Sequence, residues 1–171
     1  MHNLLLILLR TFIDIIALRK GPDSVPKSWL VFALSLLLMV VSTYAAVMLV
    51  GVEEGRNLPM TFFSYALGVF FYAAVILLSG HAERMLQAIS CIIACGSIIT
   101  VFFVAAFTLL GPVFGREFAA VVATLIVFWS VPVEGHIMAR AIGQHWYVGI
   151  GIAIAAFVLQ LGLQSVYTPA Q

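Results

Sequence analysis

Five apolar runs, each about 20 residues or longer, constrain this chain more than any other feature of its sequence. A helix of that length crosses the roughly 30 Å hydrocarbon core of a bilayer. The runs do not alternate apolar and polar residues with the period of two that is typical of a membrane β-barrel. The sequence therefore predicts an all-α, polytopic membrane protein: a bundle of five transmembrane helices, at about residues 29–52, 60–80, 85–110, 118–140 and 146–166.

The composition leads to the same class of protein. Of the 171 residues, 64% are hydrophobic and 9% are charged, whereas a typical soluble domain has about 25% charged residues. The connecting loops are too short to fold alone, so residues 1–171 are predicted to form a single membrane domain. The partner implied is the lipid bilayer, and a membrane-protein partner or a homo-oligomer stays open. The net charge of +1 does not indicate binding to nucleic acid.

The segment 3–20 precedes the five runs and carries a narrow polar stripe. Arg10, Asp14 and Ala17 recur at i, i+4 and i+7, so they share one edge of a helix. Two charges in the middle of the segment argue against a span. We predict an N-terminal amphipathic helix that lies in the membrane interface or packs along the cytoplasmic side of the bundle, with Ile13 and Ile16 on its buried face.

The distribution of Lys and Arg predicts the orientation. With the N-terminus inside, six of the eight basic residues are cytoplasmic, as the positive-inside rule requires. We therefore predict an integral protein of a bacterial inner membrane, with a cytoplasmic N-terminus and an external C-terminus. The six cytoplasmic residues are Arg10, Arg19, Lys20, Lys27, Arg84 and Arg140, and the other two are Arg56 and Arg116.

Ionisable residues gather at the predicted cytoplasmic ends of the spans. Such groups are costly at membrane depth, and they often face a cavity or a bundle interior. Pro132 lacks an amide hydrogen and predicts a bend in the fourth span beside them. The candidate polar cluster consists of His81, Glu83, Glu134, His136, Arg140 and His145.

Two interpretations of this cluster are open. Imidazole and carboxylate suit zinc, iron or manganese, and two imidazoles suit haem, which makes His81, Glu134, His136 and His145 metal candidates. Glu134 and His136 diverge by about 200° on a helix, so a shared site needs a partner from another segment. No recognised metal-binding spacing is present, and no cofactor is firmly implied. Alternatively, these are interfacial residues, with Glu134 paired to Arg140 or His81.

The layout of an amphipathic N-terminal segment followed by five closely spaced spans resembles that of the Yip1-type membrane proteins and of small bacterial membrane proteins similar to them. The resemblance implies a non-enzymatic protein that acts through lipid or protein partners, and it transfers no functional residues. The favoured function is thus a non-catalytic integral membrane protein that binds a membrane partner or organises lipid. The alternative is a metal-, haem- or quinone-associated protein or enzyme that uses the cytoplasmic His/Glu cluster.

Overall fold

A computed structural model describes residues 2–50 and 58–167. Within these ranges the chain forms α-helices joined by short turns, and no β-strand occurs. The end of the first predicted span, at residue 52, lies outside the described residues. The helices are α1 His2–Ile16, α2 Trp29–Val50, α3 Leu58–Leu78, α4 Met85–Phe114, α5 Arg116–Phe128, α6 Ser130–Ala141 and α7 Trp146–Tyr167.

Five helical segments are long and apolar enough to cross a membrane, which confirms the predicted all-α class and the number of candidate spans. They follow the five apolar runs of the sequence to within a few residues at the described ends. The first, second, third and fifth correspond to α2, α3, α4 and α7, and the fourth, Arg116–Ala141, is made of α5 followed by α6.

The interruption between α5 and α6 falls where Pro132 predicts it. Proline has no amide hydrogen to donate to the carbonyl group four residues earlier, which here belongs to Phe128. α5 ends at Phe128 and α6 begins at Ser130, with Trp129 between them. The backbone angles of Trp129 (φ −64°, ψ −19°) stay near helical values, so the interruption is local to this residue.

α4 is the central helix of the bundle. Two thirds (67%) of its most apolar stretch is buried, compared with 17–22% for the other four candidate spans. Nearly every residue from Gln87 to Ile99 is inaccessible, and several of them are small, such as Ala88, Ser90 and Cys91. Small side chains let neighbouring backbones approach closely in a membrane, and α2, α5 and α6 all pack against α4.

α1 packs one face against this bundle and turns its polar stripe away from it. Leu8, Phe12 and Ile15 are buried, whereas Arg10 is exposed. Ile16 is also buried, as expected, but the expectation for Ile13 was wrong, because its side chain is 45% exposed. The reason is the helical angle: Ile13 lies about 100° from Phe12 and 160° from Ile15, on the flank of the stripe rather than opposite it.

The carboxyl-terminal end of α1 is a tight reversal rather than a continuing helix. α1 ends at Ile16, four residues before the predicted boundary, because Leu18 adopts a left-handed conformation (φ 59°). The amides of Arg19 and Lys20 donate to the carbonyl oxygen of Asp14, at 2.8 and 3.3 Å. The Lys20 ammonium also lies 2.8 Å from the Asp14 carboxylate, and this hydrogen-bonded cation lowers the pKa of Asp14.

Candidate functional site

All six residues of the predicted cluster lie near one end of the bundle, where α3 leads into α4 and α6 leads into α7. We refer to this end, formed by residues 79–84 and 141–145, as the polar end. The six side chains do not converge there on one point, however. Each makes its own contacts with a different part of the structure.

Glu134 is paired with a tyrosine from another helix. Its Oε2 accepts a hydrogen bond of 2.5 Å from the hydroxyl of Tyr72 on α3. Tyr72 is only 2% exposed, and a buried tyrosine hydroxyl requires such an acceptor. Neither of the partners expected from the sequence, Arg140 and His81, pairs with Glu134. Sequence reasoning missed Tyr72, and the one available signal was a tyrosine within an apolar span.

His136 points to a different side of α6, as the predicted divergence of 200° requires. Its Nε2 lies 3.1 Å from the carbonyl oxygen of Lys20, in the connection that follows α1. A carbonyl oxygen can only accept, so Nε2 must carry the hydrogen of this bond. His136 therefore ties α6 to the segment between α1 and α2.

Arg84 caps the end of α6. Its Nη1 donates to the carbonyl oxygens of Arg140 and Ala141, at 3.2 and 3.4 Å. These carbonyls belong to the last turn of the helix, which has no intrahelical donors for them, and a cation is favourable at this end of the helix dipole. The Glu83 carboxylate lies 3.7 Å from Arg84, in an exposed ion pair.

The two remaining histidines make local contacts at the polar end. The Nδ1 of His81 hydrogen bonds to the carbonyl oxygen of Ser79 at 2.8 Å, and its other ring nitrogen lies near Gly143. His145 stacks on Tyr147, with 5.2 Å between the ring centroids. Both arrangements position the imidazoles without directing them towards Glu134 or His136.

The structure thus does not bring the four metal candidates together. In residues 2–50 and 58–167, no group of three or more His, Cys, Asp or Glu side chains is arranged to hold a metal ion. His81, Glu134, His136 and His145 each have the separate partner described above.

A cavity of about 430 Å³, which we call the polar cavity, opens at the polar end beside His136, Arg140 and Gln144. Leu18, Ala139 and Trp146 complete its wall. Arg140 is the only member with a permanent charge, and none of the described carboxylates lies within ion-pair distance of it. The cavity therefore presents hydrogen-bond donors and one cation that makes no direct ion pair among the described residues, with the Asp23 carboxylate close by across Gly21.

A second cavity of about 430 Å³ is lined almost wholly by apolar atoms. We call it the apolar groove. It runs along α4 from Ile99 to Leu110, with Ile126 and Trp129 on its other side and Ile16 of α1 at one end. The indole Nε1 of Trp129 donates to the carbonyl oxygen of Ile16 at 3.0 Å. That bond satisfies the indole and holds the end of α1 against the groove.

The polar cavity and the apolar groove lie on the same side of the segment formed by α5 and α6. Trp129 lines the groove, and His136 and Arg140 line the polar cavity, at positions i, i+7 and i+11. On a helix these positions point in nearly the same direction and are separated by about 10 and 16 Å along the axis. The reversal of α1 at Leu18 contributes to both sites, because Ile16 lines one and Leu18 the other.

Comparison with known proteins gives no assignment: no family model, no curated protein and no solved structure matches this chain.

Proposed function

We propose that this chain is a non-catalytic integral membrane protein that binds a lipid, with an acyl chain held in the apolar groove. The observation that carries the proposal is the groove itself, bounded by α4, α5 and the end of α1. Its walls offer dispersion contacts and almost no polar atoms, which matches a hydrocarbon chain and no polar ligand.

The surroundings of the groove support this occupant. Phe102 and Leu109, on its rim, are 48% and 70% exposed, as expected for side chains that face lipid. Across the bundle, α2, α3 and α7 expose Leu, Val and Phe side chains along their lengths. A hydrocarbon chain can therefore enter the groove sideways from the bilayer, without crossing water.

The proposal includes an orientation, with the polar end cytoplasmic. With this orientation, six of the eight basic residues belong to the cytoplasmic segments of the chain. Trp29 and Trp146 are the first residues of α2 and α7, and their indoles would then lie in the cytoplasmic headgroup region, which indoles favour. α1 lies on this side of the bundle, and its end reaches about 16 Å deeper than Arg140, to the level of Trp129.

That depth gives the ion pair between Asp14 and Lys20 a physical role. An uncompensated charge in the hydrocarbon region is costly, and the contact of 2.8 Å neutralises two charges at the deep end of α1. Arg10 lies on the same outward stripe, and its long side chain can extend towards the headgroups. The polar stripe of α1 is thus compatible with contact to lipid.

A quinone-associated role is the second candidate function, and the polar cavity favours it specifically. Quinone carbonyl groups need hydrogen-bond donors, and Arg140 and Gln144 line a cavity on the same helical face as the apolar groove. A bound quinone would place its isoprenoid tail in the groove and its ring at these donors. The same purification that tests for lipid distinguishes the two ligands, because a quinone absorbs in the ultraviolet and a phospholipid contains phosphorus.

The proposal can be tested by a substitution that fills the apolar groove with a larger side chain. Ala106 lines it, so Ala106→Phe should displace the acyl chain, whereas Ala120→Phe makes the same change on an exposed part of α5 away from the groove. Both variants and wild type are purified in mild detergent, and the bound lipid per protein is measured by mass spectrometry of organic extracts. We expect a several-fold loss in Ala106→Phe and none in Ala120→Phe.

Equal lipid content in wild type and both variants would refute the proposal. A quinone at stoichiometric amount, lost only in Ala106→Phe, would establish the second candidate instead. A stoichiometric protein partner in place of lipid would favour the protein-binding alternative.

A further inference from the structure

We infer that this bundle transfers protons across the membrane through a line of polar side chains between α3, α6 and α7, with Glu134 as the group that binds and releases each proton. The line consists of Ser64, Tyr72, Glu134 and Gln160, and we call it the polar seam. None of these residues lines the apolar groove, so the inference goes beyond the proposed function and does not depend on it.

One face of α3 supplies the first part of the polar seam. Ser64, Gly68 and Tyr72 follow one another at i, i+4 and i+8, so they lie within about 80° of each other around the helix. All three are buried, and the exposed fraction is 4% for Ser64 and 2% for Tyr72. Phe63 and Phe70, on the other side of α3, are exposed. The hydroxyl-bearing face of α3 is therefore turned into the bundle.

The neighbouring helices place polar groups opposite this face. A β-carbon at Gly68 would overlap Nε2 of Gln160 on α7 and would lie 3.2 Å from its amide carbon, so this amide packs directly on the backbone of α3. One turn further along α3, Tyr72 donates its hydrogen bond to Oε2 of Glu134 on α6. Among the described residues, neither Ser64 nor Gln160 forms a side-chain hydrogen bond. Both groups can therefore hydrogen bond to water between the helices.

The polar seam extends deep into the hydrocarbon core. At 1.5 Å per residue, Tyr72 and Ser64 lie about 10 and 22 Å along α3 from Ser79, which is at the polar end. Glu134 lies about 9 Å along α6 from Arg140, at the same depth as its partner Tyr72. Because the core is roughly 30 Å thick, the seam connects the cytoplasmic third of the core with its far third.

An apolar side chain separates the polar seam from the polar end. Ile76 lies on the same face of α3, between Tyr72 and Ser79, and it is fully buried. A proton that passes between Glu134 and the polar end must cross this side chain, and such apolar constrictions limit conduction. We therefore expect slow transfer, one proton at a time, rather than the current of an open channel.

Glu134 has no neutralising partner in the helices that pack against α6. α3, α4 and α7 contain no Asp, Glu, Lys, Arg or His. Their titratable groups near Glu134 are Tyr72 and, on α4, Cys95, whose thiol is directed to the carbonyl oxygen of Phe12. No cation of the described chain lies within 4 Å of the Glu134 carboxylate.

The charged groups of the remaining neighbours are turned elsewhere. On α6 itself, His136 bonds to the carbonyl oxygen of Lys20. The polar stripe of α1 faces away from the bundle, and Asp14 on it is paired with Lys20. Asp23, in the segment that follows α1, lies beside Arg140 across Gly21. A half-buried carboxylate within a span, without a cation, is costly, and a proton is the ligand that removes this cost.

The transfer needs only water as a co-reactant. Glu134 takes a proton from a hydronium ion at one end of the seam, which leaves water and a neutral carboxylic acid. Loss of the proton to water at the other end restores the carboxylate and forms hydronium. Tyr72 can relay the proton, because its hydroxyl group gives its hydrogen to Oε2 of Glu134 while its oxygen accepts a hydrogen from water. One proton moves and the protein is unchanged.

The same geometry argues against a metal cation as the ligand. Hard cations need about six oxygen ligands at once. The oxygen-bearing side chains of Ser64 and Tyr72 are separated by about 12 Å along α3, so they cannot surround one ion. A proton needs only one hydrogen-bonded group after another.

The experiment measures proton flux in liposomes of phosphatidylethanolamine and phosphatidylglycerol that contain a pH-sensitive dye. An imposed pH gradient is followed while a potassium ionophore compensates for the moved charge. The variants are Glu134→Gln, Glu134→Asp, which keeps an ionisable group, and Gln160→Leu. The matched control is Glu83→Gln, the same change at an exposed carboxylate outside the seam. Detergent unfolding confirms that each variant is folded before reconstitution.

We expect wild type to dissipate the gradient several-fold faster than empty liposomes. Glu134→Gln should return the rate to that of empty liposomes, Gln160→Leu should lower it several-fold, Glu134→Asp should retain measurable flux, and Glu83→Gln should match wild type. If Glu134→Gln does not fold, the comparison of Gln160→Leu with Glu83→Gln decides.

Three results would overturn the inference. They are a wild-type rate equal to that of empty liposomes, a folded Glu134→Gln as fast as wild type, and a folded Gln160→Leu as fast as wild type. The lipid content of the apolar groove is measured separately, so failure of the proton flux leaves the proposed function standing.

Discussion

The contact between α6 and α7 holds the polar cavity together, because α6 carries Arg140 and α7 begins at Trp146. Two glycines make this contact close. A β-carbon at Gly149 would overlap the carbonyl oxygen of Gly135 and would lie 2.8 Å from the β-carbon of Ala139. A normal carbon–oxygen contact is about 3.3 Å or longer, so Gly149→Ala must push the helices apart by roughly 1 Å.

The expected cost follows from this overlap. Overfilling a packed interface typically costs about 1–3 kcal/mol. Replacing glycine by alanine within a helix also has a favourable effect of up to about 1 kcal/mol, which would mask part of the loss. Gly151→Ala is the matched control, because a β-carbon there meets no atom within 4 Å. Since both variants share the favourable effect, the difference between them measures the overlap.

The assay is reversible unfolding in mixed micelles, followed by tryptophan fluorescence across a titration with a denaturing detergent. We expect Gly149→Ala to be less stable than Gly151→Ala by about 1–3 kcal/mol. Equal stability of the two alanine variants would refute the reasoning, since it would show that α6 and α7 do not approach through these glycines.

Three further predictions concern other parts of the structure. Tyr72→Phe should destabilise the protein by about 1–3 kcal/mol in the same unfolding assay, because it removes the donor to the half-buried Glu134 carboxylate. The double variant with Glu134→Gln should lose little more, and fully additive losses would contradict the pair. The Lys20 ammonium, which is hydrogen bonded to Asp14, lowers the pKa of the Asp14 carboxyl, so Lys20→Ala should remove that effect. An NMR titration should show the Asp14 pKa rising in Lys20→Ala, and an unchanged pKa would contradict this. A reporter that is active only outside the cell should be silent when fused after Gly80 and active at the C-terminus; the reverse pattern would invert the proposed orientation.

The location of the candidate site could be predicted from the sequence. Ionisable residues are energetically unfavourable within a membrane, so the few that occur are conspicuous among the apolar runs. The sequence placed Glu134, His136 and Arg140 at the end of the fourth span, and the helical angle separated the first two correctly. It did not predict Tyr72 as the partner of Glu134, since that contact joins residues 62 positions apart. The apolar groove left no sequence signal either, because its lining is made of the same residue types as the exposed apolar surface of the helices.

The sequence by itself determined the helices and their number, because the length needed to cross a bilayer and the cost of exposing backbone groups to hydrocarbon act on each segment locally. Only the tertiary structure decided that α4 is central, that α1 ends against Trp129 and that Gly135 meets Gly149. The physical reason is the lipid environment expected for five such apolar helices. A leucine that faces acyl chains and a leucine inside the bundle are in similarly apolar surroundings. Selection therefore leaves no strong periodic pattern on α2, α3 or α7 to show which side faces inward, and the arrangement depends on the shapes of small side chains and a few hydrogen bonds.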